Sequence, residues 1–200
     1  MENERYRPYR IYDSRSRIVY GPSEEFRREL RVVMRHVSYL ALRDTEFGQL
    51  YREGVIHGFT KKRSFITHAR QHVGSGTIVA FDLYRAFESI APERVAGALE
   101  RIGVDPGTTA ALVGDTFING KLATGFPTSP LLFNLALVPM DRQILEFARD
   151  RGFQYSRYAD DIAISKKPEL VGSRGRLGFA LPHLDQENVL DESGWIDQGD

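Results

Sequence analysis

Two short strand-like runs, residues 154–159 and 162–165, stand on either side of the pair Asp160-Asp161. So short a gap leaves room only for a tight reversal, so the runs are expected to pair as an antiparallel hairpin with both acids at its tip. A second acid-ended run lies upstream. Residues 77–83, Thr-Ile-Val-Ala-Phe-Asp-Leu, follow a Gly-Ser-Gly break and are almost continuously apolar. They read as a buried strand closing on Asp82.

The remaining pattern is mostly helical. Residues 9–12 and 17–20 flank the polar stretch 13–16 and suggest a two-stranded ribbon. Pro22-Ser23-Glu24-Glu25 opens a helix, with Ser23 as cap and two acids at its positive end. Phe26, Leu30, Val33, Val37 and Leu40 form its apolar stripe, and Arg27, Arg28, Arg31 and Arg35 fall largely off it. A short helix is expected over 64–72, another from Pro92 to about Arg101, and another over 108–117. Asn119-Gly120 signals a tight turn, and 129–149 reads as a long helix with a kink at Pro139. Strands and helices in this mixture, with antiparallel pairing, indicate an α+β fold.

Composition narrows the class. Two hundred residues suit one domain with room for a real core. The absence of cysteine excludes a disulfide scaffold, a thiolate metal site and a cysteine nucleophile; it fits a cytoplasmic location. No secretory signal is visible, and the most apolar stretch, 131–140, is too short for a bilayer and contains Asn134, so no membrane partner is expected. The net charge of zero is uneven along the chain. Residues 1–80 hold 15 Lys and Arg against 9 Asp and Glu, whereas 185–200 hold six acids and no base. A basic front is thus cancelled by an acidic tail, and the whole-chain sum does not exclude a nucleic-acid partner.

Adjacent acids beside paired apolar strands repel one another, and a bound divalent cation with a preference for hard oxygen ligands would relieve that. Taken alone, an aspartate pair at a turn is ordinary turn chemistry. The flanking sequence adds more. Phe81-Asp82-Leu83-Tyr84-Arg85-Ala86-Phe87, Leu122-Ala123-Thr124-Gly125-Phe126-Pro127-Thr128-Ser129-Pro130 and Tyr155-Ser156-Arg157-Tyr158-Ala159-Asp160-Asp161 resemble motifs A, B and C of reverse transcriptases, in that order. His57-Gly58-Phe59, Arg63-Ser64-Phe65-Ile66 and Arg17-Ile18-Val19 with Pro22 are similar to the bacterial retron and group II intron branch.

The resemblance implies a fingers-like region over 1–76, a palm-like region over 77–168 with an antiparallel sheet packed on helices, and a divergent acidic tail over 169–200. It implies an RNA-directed DNA polymerase using two Mg²⁺ ions, with Mn²⁺ as the substitute. Asp82, Asp160 and Asp161 would be the catalytic metal ligands, joined by the Leu83 carbonyl. Arg15 and Arg17 would grip the incoming triphosphate, Phe87 would be the steric gate against a 2′-hydroxyl, and Tyr158 would lie near the primer end. Gly125 and Pro127 would shape the turn that approaches nucleotide and template. His57 and His72 read first as structural hydrogen-bonding histidines.

Three departures stand against the family pattern. Ala123 and Thr124 occupy positions usually held by proline and by a glutamine that contacts the nucleotide. His68-Ala69-Arg70-Gln71-His72 replaces the retron-like Asn-Ala-x-x-His. No later palm motif or thumb is recognisable after Lys167. The expected partners are dNTPs and an RNA template with primer, with a structured non-coding RNA and a second chain supplying thumb function as further candidates. Two other readings stay open at this stage: an RNA- or protein-binding scaffold with weak or no catalysis, and a defence-type enzyme making untemplated or protein-primed DNA, with Tyr6, Tyr9 or Tyr12 as primer.

Overall fold

The computed structural model describes residues 5–11 and 17–167. Strands β1 (Tyr6–Ile11) and β2 (Arg17–Pro22) pair antiparallel from Tyr6↔Pro22 to Ile11↔Arg17. Ser23 then caps α1 (Glu24–Arg43): its hydroxyl accepts the Phe26 N–H at 3.3 Å, and Glu24 and Glu25 occupy the positive first turn. The apolar stripe read from the sequence turns inward, with Phe26, Leu30 and Val37 buried. Asp44 ends α1 and immediately caps α2 (Thr45–Arg52), accepting the Glu46 and Phe47 N–H groups. This second helix was not evident in the sequence pattern.

Next come α3 (Phe65–Gln71), β3 (Thr77–Asp82), the single turn α4 (Ala86–Ser89), α5 (Pro92–Arg101) and α6 (Pro106–Thr116). Asn119 and Gly120 both take positive φ, 51° and 72°, and join β4 (Phe117–Ile118) to β5 (Lys121–Leu122). Helix α7 (Ser129–Asp150) continues through Pro139. Leu132, Phe133, Leu135, Ala136 and Val138 are all buried, so this stretch is apolar nearly all round because it runs through the centre. Glu46 on α2 holds Arg101 on α5 and Arg142 on α7 around that centre.

Strands β6 (Gln154–Tyr158) and β7 (Asp161–Lys166) complete an antiparallel sheet of order β3-β7-β6. α3 and α7 both pack against β6. The α+β expectation is met, with two corrections. First, β3 is not buried: every residue in it is exposed, Ile78 at 54 % and Val79 at 55 %. It pairs with β7 along one edge only, so an apolar run that suits two covered faces here forms the margin of the sheet. Second, the hairpin tip is Ala159-Asp160, not Asp160-Asp161. Tyr158 pairs with Asp161, which makes Asp161 the first residue of β7.

Candidate active site

The offset of one residue in the hairpin decides how the acids are presented. Ala159 takes φ 55° at the first central position of the turn, where a mirror-type turn demands a positive value and glycine is the usual choice. What holds an alanine there is close packing. A Cβ on Gly58 would lie 2.1 Å from the Ala159 nitrogen, so the glycine lets the 55–58 segment seat directly against the turn. That segment runs beside β6: the His57 N–H donates to the Arg157 carbonyl at 2.8 Å, and the Arg157 N–H donates to the Val55 carbonyl at 2.7 Å.

The turn brings Asp160 to the end of β3. The Leu83 N–H donates to the Asp160 carbonyl at 3.0 Å, and Asp82 sits directly across from Asp161 in the strand register. Burial raises the Asp160 carboxyl above the ordinary range, and the charges of Asp82 and Asp161 raise it further; its side chain is within hydrogen-bonding reach of Asp82. The acids therefore meet at one end of the sheet, but not as a ready-made cage. Among the described residues, no three acidic or histidine side chains are gathered tightly enough to hold a metal ion by themselves. Asp160 belongs to the turn and Asp161 to the strand: the Asp160 side chain lies within reach of Asp82, and Asp161 stands directly across the ladder from Asp82. Two crowded carboxylates beside the Leu83 backbone form an oxygen-rich donor set, and this fits a hard divalent cation.

Asp82 and Asp160 open onto a groove of about 870 Å³. Arg17 from β2, Phe87 from α4, and Thr124 and Gly125 from the turn before α7 also line it. The groove, which Phe59 also lines, thus gathers residues from five separate stretches of chain. Phe87 stacks on Phe133 at 4.5 Å between ring centres, with the planes 3° apart, and meets the edge of Phe59 at 6.0 Å. One ring therefore both packs on the core and walls the groove. Phe59, Tyr84 and Arg85 are further wall residues that the sequence did not single out. The loop bearing Thr124 is tied to the ribbon, since its carbonyl accepts the Tyr20 N–H at 2.8 Å. Gly125 has φ 102°, and a Cβ there would come within 2.6 Å of the Tyr20 carbonyl oxygen. Its observed task is to admit β2 as well as to face the groove.

Tyr158 is not among the groove residues; it stacks on His68 with ring centres 6.3 Å apart. Arg15, the acidic tail 185–200 and Tyr12 lie outside the described residues. His57 and His72 are the buried, hydrogen-bonded histidines expected. His57 engages Gly54 and Thr67, and His72 sits between Ser165 and Ser156 at 2.7 and 2.8 Å.

A buried polar network lies beneath the hairpin, and its one trace in the sequence is the presence of charged residues inside apolar stretches. Arg157 is fully buried. Its guanidinium reaches both carboxylate oxygens of Asp141, at 3.0 and 2.8 Å. Burial works against the Arg157 charge, but Asp141 outweighs it and the net shift is upward. The Tyr155 hydroxyl donates to the same aspartate at 2.6 Å; burial and then Asp141 push its pKa up.

The family described as reverse transcriptase (RNA-dependent DNA polymerase) matches residues 34–170. A retron Ec86 reverse transcriptase of Escherichia coli is 30 % identical over 183 residues, covering 87 % of this chain and 54 % of the relative. A retron Mx162 reverse transcriptase of Myxococcus xanthus is 30 % identical over 171 residues, covering 76 % of this chain and 33 % of the relative. The chain therefore spans about half the length, or less, of these relatives. Among solved structures, telomerase from Candida albicans, in complex with a fragment of telomeric RNA, aligns with a TM-score of 0.61. That alignment covers 82 % of this chain and 38 % of the telomerase at 13 % identity, a likeness of fold. Among the described residues, no helix is long and apolar enough to cross a membrane.

Proposed function

The chain belongs to the reverse transcriptase family, and from that premise we propose that it carries the fingers and palm of a retron-type RNA-directed DNA polymerase that extends a primer 3′-hydroxyl with dNTPs. Residues 1–76 take the fingers part of this reading and 77–168 the palm part. The observation that carries it is the meeting of Asp82 and Asp160 at one end of a groove that Arg17 and Phe87 also line.

The oxygen donors for divalent ions are the carboxylates of Asp82, Asp160 and Asp161 and the Leu83 carbonyl. Bound there, Mg²⁺ or Mn²⁺ in a pair would neutralise charge on the triphosphate and lower the pKa of the primer hydroxyl. The planar fork of Arg17 suits bidentate contact with the triphosphate, and Arg15 is assigned the same task. The Phe87 ring limits space at the sugar and favours a 2′-deoxynucleotide. Gly125 presents bare backbone to the nucleotide, Thr124 offers a shorter side chain than the family's usual glutamine, and Tyr158 would lie near the primer end. Template and primer would be held mainly through phosphate and sugar, which makes binding fall with salt.

Primer extension with Mg²⁺, a primed RNA template and labelled dNTPs tests this, alongside a variant carrying Asp160→Ala and Asp161→Ala. Template-dependent product from the wild type alone is the expected result. RNA binding without product in both proteins overturns the polymerase in favour of a scaffold. Product without template identifies an untemplated enzyme instead.

A further inference from the structure

The catalytic turn is short, carries an alanine in a left-handed conformation, and presents a carboxylate that burial and two neighbouring acids disfavour as a charge. Something must hold it in place. Three stretches of chain far apart in sequence meet beneath it through a single hydrogen-bonded chain. The Asn134 amide on α7 donates to the Gly58 carbonyl at 3.0 Å. The oxygen of the same amide accepts from Arg157 Nη1, also at 3.0 Å. Arg157 Nη1 then donates to the Ala159 carbonyl at 2.7 Å, inside the turn itself. The guanidinium is fixed from its other side by the bidentate pair with Asp141, again on α7. Asn134, Asp141 and Arg157 are all fully buried, so these bonds act in a low-dielectric setting where a missing partner is costly.

We propose that Asn134 and Arg157 are positioning residues that lock the Ala159-Asp160 turn to α7 and to Gly58, and so set where the Asp160 carboxylate stands relative to Asp82. A buried arginine paired with an aspartate contributes little net stability over apolar packing, so stability alone does not account for it. The fork geometry does: one guanidinium serves two aspartate oxygens, an asparagine and a turn carbonyl at once, and a lysine ammonium cannot reproduce that arrangement. Helix α7 follows directly on the Gly125 loop, so the same helix that bonds to the turn through Arg157 also lines the groove with its first residues, Ser129 and Pro130.

This inference rests on the polymerase reading for its consequence, but its test does not. Asn134→Ala keeps the Arg157–Asp141 pair, and Arg157→Lys keeps the charge while losing the fork. Hydrogen–deuterium exchange of the segment 157–162 is compared with that of α5 in each variant, with melting followed by circular dichroism. Mn²⁺ binding is titrated by electron paramagnetic resonance, with Asp160→Asn as the site control. In folded Asn134→Ala we expect faster exchange confined to 157–162 and Mn²⁺ affinity lower by roughly tenfold to a hundredfold. In extension assays the half-saturating metal concentration rises while KM for template–primer stays unchanged. Unchanged exchange over 157–162 in folded Asn134→Ala overturns the proposal, as does Arg157→Lys that matches the wild type in both exchange and Mn²⁺ affinity. If Arg157→Lys does not fold, Asn134→Ala decides. A wild type without extension activity whose turn nevertheless loosens in Asn134→Ala refutes the polymerase reading and leaves the clamp standing.

Discussion

Single atoms govern the approach of backbone to backbone around the groove. Gly58 has the Ala159 main chain where its Cβ would be, whereas Gly97, exposed in α5, has nothing within 4 Å of its missing Cβ. The two glycines should therefore respond oppositely to alanine. Gly97→Ala gains helix propensity and is expected to stabilise by about 0.5–1 kcal/mol. Gly58→Ala must displace the turn and is expected to cost at least about 2 kcal/mol, with extension activity lost beyond what that destabilisation explains. Urea denaturation of both variants checks the sign. Phe87 poses a related question, because its ring is shared between the Phe133 stack and the groove wall. Phe87→Ala should lower stability by about 1–3 kcal/mol and also reduce discrimination between dNTPs and NTPs. Melting reads the first effect and competitive incorporation the second. Lost stability with intact discrimination would leave Phe87 as core packing only.

Elements whose signals are local were legible in the sequence. Ser23 before two acids, Pro92 at a first turn and Asn119-Gly120 each specify their backbone within a few residues, and each element stands where it was read. Helix α3 belongs with them. Its Ser64 hydroxyl accepts the Thr67 N–H at 3.3 Å, while Thr67 Oγ1 accepts the Ser64 N–H at 2.8 Å. Ser64→Ala should then cost about 1 kcal/mol in thermal or urea unfolding. What stayed illegible depends on neighbours distant in sequence. The turn register was misread because Ala159 sits where glycine or asparagine is the expected signal, and the Gly58 contact that tolerates it is 101 positions away in the chain. The exposure of β3 follows from its place at the sheet margin, which composition does not encode. Helix α2 was missed because one residue, Asp44, both ends the preceding helix and starts this one, leaving no loop to mark the break. Asp82, Asp160, Phe87 and Arg17, which line the groove, were named from their motifs, yet Asn134 and Arg157 were passed over, since their contacts appear only when α7, β6 and residue 58 are brought together.

Across the whole molecule, the histidines tie α3 and the 55–58 segment to the sheet, and this makes global stability depend on pH. His57 is buried, and that burial lowers its pKa from the ordinary 6.5 to about 4; nearby Arg63, His68 and His72 add to the effect, while its bond to the Gly54 carbonyl opposes it. His68 and His72 shift in the same direction, also chiefly through burial. With the folded pKa below the unfolded one, the unfolded chain binds more protons between about pH 4 and 6.5. The His57 contribution to stability is thus complete above about pH 6.5 and is lost as pH falls from there toward 4. Fully expressed, the His57 contribution amounts to about 3 kcal/mol. His57→Gln removes the titrating ring, so it should melt lower than the wild type at pH 7.5 yet lose less further stability between pH 7 and pH 5. Carboxylates titrate alike in both proteins and cancel in the difference. Melting temperatures measured across that interval give the two slopes, and parallel slopes would show that His57 takes up its proton as readily in the fold as outside it.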